Sequence, residues 1–343
     1  MRVGMDIGRS GIKAVAAPGE RLFGLPTIAK LPPNQEWRGL SDLNRLERKD
    51  GLLHLDSWQL GYEGEEWLIG ERAERLGLLA WHEMTVAKAT PATRLLVLAA
   101  VSALGAPPFT ELCVGVPLHN HEEQGQVLQR LLRGEHRVSS GGRERSLILK
   151  GVVVPEGLGL WLRAATPDGI TLDRSLLQVP TAVVDLGHRT IQLAVWSGLR
   201  SYPQSFVSAH GVYEVWEAAL KEAFEGPGQT VYESPQRAMF MTRLLRDGEL
   251  SLRGRTVTLE MLRPRLLVHT ETAWARIRRE LDKALEQVPY ERVVVGGGGA
   301  TLFADVLMEY FGESKVAIME DRFAQAEGYR LFLEHRDVLR ELA

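Results

Sequence analysis

Asp6, Gly8 and Lys13, and much later Asp185 and Gly187, are residues whose types and spacing could do chemistry. The first stretch reads Asp6-Ile-Gly8-Arg-Ser10-Gly11-Ile-Lys13, and the second reads Asp185-Leu-Gly187-His-Arg-Thr190-Ile-Gln192. One pattern therefore occurs twice: an acid, an apolar residue, a glycine, three variable positions, an isoleucine and a polar residue. Each copy follows an apolar run. A carboxylate at the end of a strand can hold a hydrated Mg²⁺, and a glycine at the turn lets backbone N–H groups come close to an anion. Two such loops facing each other would grip a polyphosphate from both sides. Either loop alone reads more simply as an ordinary turn with a capping Asp; the matched pair favours phosphate, and an internal duplication is its economical origin. Lys13 adds a point charge suited to β- and γ-phosphates, although a hairpin lysine can also point into solvent. Gln192, at the matching position, brings no charge.

A third candidate is Val293-Val294-Val295-Gly296-Gly297-Gly298-Gly299-Ala300-Thr301, an apolar run that enters four glycines and then a helix. Without side chains there, a flat or bulky ligand can lie against the backbone at a helix N-terminus. The string is neither the six-position Rossmann fingerprint nor a Walker A loop. His119-Asn120-His121 fits no common zinc spacing and reads as a surface turn. Arg263, Arg265, Arg276, Arg278 and Arg279 are interleaved with Glu271, Glu280 and Asp282, which suits a solvated or protein-contact face better than a nucleic-acid groove. Cys113, in the apolar run 112–116, reads as a small buried hydrophobe.

The elements that must position these residues follow from punctuation and periodicity. Arg2 to Ile7 and Gly11 to Ala17 read as a hairpin, as do Thr181–Asp185 and Thr190–Trp196. Short strand-like pieces stand near 52–55 and 66–69. Pro91 opens an apolar helix that Gly105 closes. A strand over 111–116, a helix over 121–132, a charged hairpin around Gly141-Gly142-Arg143 and a strand over 146–154 come next. After the second hairpin the sequence predicts a strand over 201–208 and helices over 212–224, 234–246 and 260–287, with a small hairpin over 250–259. The strand 292–295, the helix 301–310 and a closing helical segment over 321–341 complete the chain. Strands alternating with helices define an α/β protein.

The chain has 343 residues, 45% of them hydrophobic, which is enough for two domains of ordinary size. Its 41 basic and 44 acidic side chains leave a net charge of -3, so no strong positive field attracts nucleic acid or an anionic membrane. The N-terminus lacks a signal-peptide apolar region, and no apolar run reaches the ~20 residues that span a bilayer. A cytoplasmic location is expected.

With the two hairpins and the glycine run in this order, the chain resembles the actin-like ATPase superfamily shared by actin, DnaK-type chaperones and sugar kinases. Within it the chain is most similar to the ParM-type bacterial and archaeal actin-like proteins, through Val114-Gly115-Val116-Pro117-Leu118 and Phe323-Ala-Gln-Ala-Glu-Gly-Tyr329. The resemblance implies a two-domain actin-like fold. Each half would be built on a duplicated βββαβα ribonuclease-H-like core, with the nucleotide in the cleft between them. Residues 1–155, completed by 321–343, would form the first domain and 156–320 the second. The phosphate motifs would be Asp6 to Lys13, including Gly8, Ser10 and Gly11, and Asp185 to Thr190, including Gly187. Gly296, Gly297, Gly298 and Gly299 would begin the adenosine motif, and Glu214 falls in the helix that contributes to the nucleoside pocket. Asp6 and Asp185 would hold Mg²⁺ through water, and Glu156 falls where the family orients the hydrolytic water. The segments 155–160 and 323–329 look like the two connecting helices. Many relatives carry Gly-Thr/Ser-Thr and an acid after the second phosphate turn. Here His188-Arg189 and Gln192 stand there, which is expected to slow hydrolysis without removing nucleotide binding.

By that resemblance the expected function is binding of ATP, with GTP as the alternative, and slow hydrolysis with Mg²⁺. Head-to-tail self-assembly into filaments is expected to serve plasmid segregation or a cytoskeletal role, with a DNA-binding adaptor as partner and no direct nucleic-acid or membrane contact. Two readings stand beside it: a small-molecule kinase of the same superfamily, and a non-polymerising assembly module.

Overall fold

Val3, Met5 and Ile7 alternate with Gly4 and Asp6 along the strand Arg2–Gly8, and all five are buried. The strand pairs antiparallel with Gly11–Ala16, itself buried throughout, and parallel with Phe109–Val116. Strands buried on both faces are what a mostly parallel sheet covered by helices requires. The computed structural model describes the chain apart from residues 9, 18, 32–43, 76–79, 82–87, 225–240, 242–243, 246, 253 and 342–343. It divides into two compact units, Met1–Leu172 with Gln325–Leu342, and Asp173–Ala324. The helix Leu158–Ala164 belongs to the first.

In the first unit five strands run side by side in the order Glu20–Gly24, Gly11–Ala16, Arg2–Gly8, Phe109–Val116, Arg143–Pro155. The second unit repeats this with Val207–His210, Thr190–Ser197, Thr181–Leu186, Arg292–Gly296, Val316–Ile318. In both, the first two strands form an antiparallel hairpin, and the fourth and fifth continue parallel to the first. The duplicated βββαβα core that the resemblance implies is present in each unit.

The helices form for local reasons. Thr90 caps Pro91–Ala103 by accepting from Thr93 N at 3.3 Å, and Gly105, at φ 64°, follows its end. Leu259–Leu285 buries Leu262, Leu266, Thr270, Ala273, Ile277, Leu281 and Ala284, a single stripe at helical spacing. Among the described residues no helix is long and apolar enough to cross a membrane.

Several expectations change. The pieces near 52–55 and 66–69 belong to a long hairpin, Leu52–Tyr62 with Glu65–Ile69, turned by Glu63 and Gly64 at φ 54° and 78°. The strand expected over 201–208 is broken, because Pro203 has no N–H to give a ladder. Arg200–Ser201 and Val207–His210 flank a 3₁₀ turn, Pro203–Ser205, in which the Ser205 hydroxyl donates to Tyr202 O and accepts from Val195 N at 2.8 Å. The closing segment is two helices, Ala324–Glu334 and Arg336–Glu341, and Asp321 precedes them in a turn, where its carboxylate accepts from Phe323 N at 2.9 Å. Most of the helix expected over 234–246 lies outside the described residues. Cys113 is buried as expected, and burial pushes its thiol up.

The body of Ala324–Glu334 lies against glycines of the first unit. A Cβ on Gly4 would stand 2.0 Å from Ala326 O, and one on Gly115 would stand 1.9 Å from the Tyr329 hydroxyl. Where the helix meets Leu158–Ala164, a Cβ on Gly328 would stand 1.8 Å from Gly159 O, and one on Gly159 would stand 2.3 Å from Gln325 O. Backbone touches backbone here, so only glycine fits.

Candidate functional site

In the first unit the carboxyl ends of three neighbouring parallel strands converge on one edge of the sheet. Asp6 and Gly8 lie at the end of the first, Val116 ends the second, and Pro155 delivers Glu156 from the third. Such edges are where ligands of open α/β sheets bind. Asp6 is only 8% exposed and Glu156 7%. Register places Lys13 directly opposite Asp6, and Lys13 Nζ donates to Asp6 Oδ2 at 2.8 Å. The Lys88 ammonium lies 3.8 Å from Asp6 Oδ1 and makes a close ion pair with Glu156. Burial opposes the charge on Asp6, but Lys13 and Lys88 together outweigh it and hold the carboxyl below its ordinary value. Glu156 N donates to Val116 O at 2.8 Å, and Gln325 Oε1 accepts from Gly157 N at 3.1 Å, so the backbone that carries Glu156 is fixed on both sides.

Lys88 was not legible as a site residue. It stands in the loop before Pro91, outside any repeat or motif, and its contacts with Asp6 and Glu156 depend on the fold alone. Ser10 lies in the hairpin turn, next to a residue outside those described. Gly8 and Gly11 are glycines for a reason other than a left-handed turn, since neither has positive φ. A Cβ on Gly11 would lie 2.3 Å from the Phe23 ring, and one on Gly8 3.2 Å from Gly11 O.

The second unit has the same layout with different side chains. Asp185 is 8% exposed and pairs in register with Gln192 on one side and Gly296 on the other. Gln192 thus occupies the place that Lys13 holds in the first hairpin, and its Nε2 donates to Thr190 Oγ1 at 3.4 Å. A Cβ on Gly187 would come 2.7 Å from Thr190 O. The three glycines after the strand Arg292–Gly296 divide by role. Gly297 has φ 91°, and a Cβ there would stand 2.5 Å from Asp185 Oδ1. A Cβ on Gly299 would strike Val212, whereas one on Gly298 would meet nothing within 4 Å. Of these three, Gly298 alone opens onto free space. Glu214, in the first turn of Tyr213–Phe224, accepts from Arg276 Nη2 at 2.8 Å and is paired with His210. Partial burial works against its charge, and His210 and Arg276 more than compensate, so its carboxyl stays below the ordinary value. Arg276, read beforehand as part of a solvated basic face, is thereby joined to a candidate site residue.

Chemically, the first edge offers two carboxylates and two ammonium groups, and the second a buried carboxylate beside an open glycine backbone. Carboxylates suit a hydrated divalent cation, ammonium groups suit phosphate oxygens, and the exposed backbone at Gly298 leaves room for a planar group.

Two sheets of this topology, each carrying the same Asp-Gly hairpin on its first two strands, define the actin fold. Residues 4–159 match the family of actin like proteins N terminal domain, and the chain has an actin-like fold. No curated protein sequence matches the chain. The chain is similar in structure to an archaeal actin homologue, with a TM-score of 0.74 and 19% identity over 97% of this chain and 99% of that one. It is similar to the apo psk41 ParM protein, with a TM-score of 0.68 and 14% identity over 99% and 98% of the two chains. It is also similar to a ParM from Clostridium botulinum whose structure is a 15-stranded filament, with a TM-score of 0.70 and 16% identity over 97% and 99%. The archaeal homologue has also been solved in complex with ADP.

Proposed function

We propose that this chain binds ATP with Mg²⁺, hydrolyses it slowly and couples nucleotide state to head-to-tail assembly with copies of itself. The observation that carries the reading is the repetition of one buried Asp-Gly hairpin, in the same register, on the same two strands of both sheets. Asp6 and Asp185 would hold Mg²⁺ through water, Lys13 would contact the phosphates, and Gly298 would receive the base. Mg²⁺ supplies charge neutralisation for the phosphates. Glu156, fixed at the end of its strand, would accept a hydrogen bond from the attacking water. Gln192 in place of a charged residue supports slow rather than fast hydrolysis. Relatives that form filaments support self-assembly, for which a heterologous contact builds an open strand. A cytoplasmic role in plasmid segregation or as a cytoskeleton, through a DNA-binding adaptor, is the setting this suggests.

Right-angle light scattering at micromolar protein, with Mg²⁺-ATP, Mg²⁺-GTP or no nucleotide, tests the reading. A rise that depends on nucleotide and is lost in Asp6→Ala is the expected outcome. A flat trace despite measured ATP binding would remove assembly from the function and leave a binding module or a kinase.

Gly298→Ala gives a sharper check on the base. Its backbone is not left-handed and its Cβ meets open space, so melting temperature should stay within about 2 °C of wild type. Nucleotide affinity should fall by about tenfold if the base lies against this residue, the effect of about 1.4 kcal/mol of lost contact. Unchanged affinity would place the base elsewhere.

A further inference from the structure

Lys88 belongs to none of the motifs that mark the first edge, yet its ammonium reaches both carboxylates there. Its backbone is pinned: Lys88 N donates to Oε1 of the buried Gln124 at 2.7 Å, and Thr90, two residues on, caps the helix Pro91–Ala103. The side chain is mostly enclosed, 13% exposed, on a flexible four-carbon stem. A fixed root and a mobile charged end allow the ammonium to change partners without moving the fold.

Charge decides when it would. Asp6 and Glu156 carry two negative charges, and Lys13 and Lys88 carry two positive ones, so the cluster is balanced with no phosphate present. A terminal phosphate brings more than one negative charge to the same place, and an ammonium next to it gains by leaving a singly charged carboxylate. Lys13 is tied to Asp6 by a direct hydrogen bond, whereas the close partner of Lys88 is Glu156. While that pair lasts, the ammonium occupies one lone pair of the Glu156 oxygen that it faces and offsets the carboxylate's charge, which weakens it as an acceptor for water.

Resting on the nucleotide reading above, we propose that Lys88 distinguishes a triphosphate from a diphosphate. Without a terminal phosphate it stays on Glu156. With one, it moves to the phosphate oxygens and frees Glu156 to align the attacking water. Hydrolysis is thereby confined to the state in which there is a bond to break.

The test is calorimetric titration of the full chain with Mg²⁺-ADP and with the non-hydrolysable triphosphate Mg²⁺-AMP-PNP. Lys88→Gln is expected to lose about tenfold or more in affinity for AMP-PNP while ADP affinity stays within about twofold, and Lys88→Arg should recover most of the loss. Glu156→Gln removes the competing carboxylate and should bind AMP-PNP about threefold more tightly than wild type. Equal losses for both nucleotides in Lys88→Gln, or no loss, would overturn the proposal, and so would weaker AMP-PNP binding by Glu156→Gln. Should Lys88→Gln fail to fold, the Glu156→Gln titration decides. Wild-type protein that binds neither ligand would defeat the nucleotide reading and this proposal together; wild-type binding with an indifferent Lys88→Gln would defeat the proposal alone.

Discussion

Gly328→Ala is expected to destabilise the protein by about 3 kcal/mol or more, at the upper end for overpacking a core. The added Cβ would stand 1.8 Å from Gly159 O, 2.4 Å from Gly159 C and 2.6 Å from Gly159 Cα. All three are backbone atoms, so no rotamer change relieves the clash, and one of the two helices must shift. A shift is resisted on the other faces of Ala324–Glu334, where Gly4 and Gly115 leave no room against Ala326 and Tyr329. Gly125→Ala is the matched control. It too is a helical glycine, but its Cβ would lie 3.7 Å from Val153 Cγ1, an ordinary contact. There alanine should leave stability unchanged or raise it by up to about 1 kcal/mol, because it restricts the unfolded chain. Thermal melting followed by circular dichroism measures both variants. A Gly328→Ala melting temperature equal to that of wild type would mean that the helices are not packed backbone to backbone.

Asp6→Asn should cost about 3 kcal/mol at neutral pH, because it leaves Lys13 and Lys88 beside a neutral amide in a buried site. The sign of the pH dependence follows from the depressed carboxyl. A group held below its ordinary value of 3.8 in the folded state contributes its full stability above 3.8, and that contribution disappears as pH falls through the lower folded value. The melting-temperature difference between wild type and Asp6→Asn should therefore be constant at neutral pH and shrink below 3.8. A difference that does not change on acidification would show that Asp6 is not held ionised by its lysines.

How far the sequence discloses this molecule depends on the range of the interaction involved. The two hairpins were legible because alternation, turn glycines and a repeated motif are local; the repeat pointed to an internal duplication, and the topology of the two sheets came from the resemblance. The helix His121–Leu132 matches its expected limits, since its apolar spacing and acidic first turn are local as well. The break at Pro203 depends on Ser205 reaching Val195, a partner across the sheet that no window of sequence contains. The glycines were legible as glycines but not for their reasons: Gly11 accommodates Phe23, and Gly297 accommodates Asp185. Glu156 entered only by resemblance. Lys88 had no signal, because it meets Glu156 by virtue of the parallel strands and nothing in its own neighbourhood announces that.

The two units differ in how the chain supplies them. Asp173–Ala324 is one uninterrupted stretch, whereas the first unit is closed by Gln325–Leu342 from the far end of the chain. During synthesis at about 5–20 residues per second, the slots at Gly4, Gly115 and Gly159 wait on the order of ten seconds for the helix that fills them. The second unit can be finished before the first, so the N-terminal half is the later to mature even though the ribosome releases it earlier.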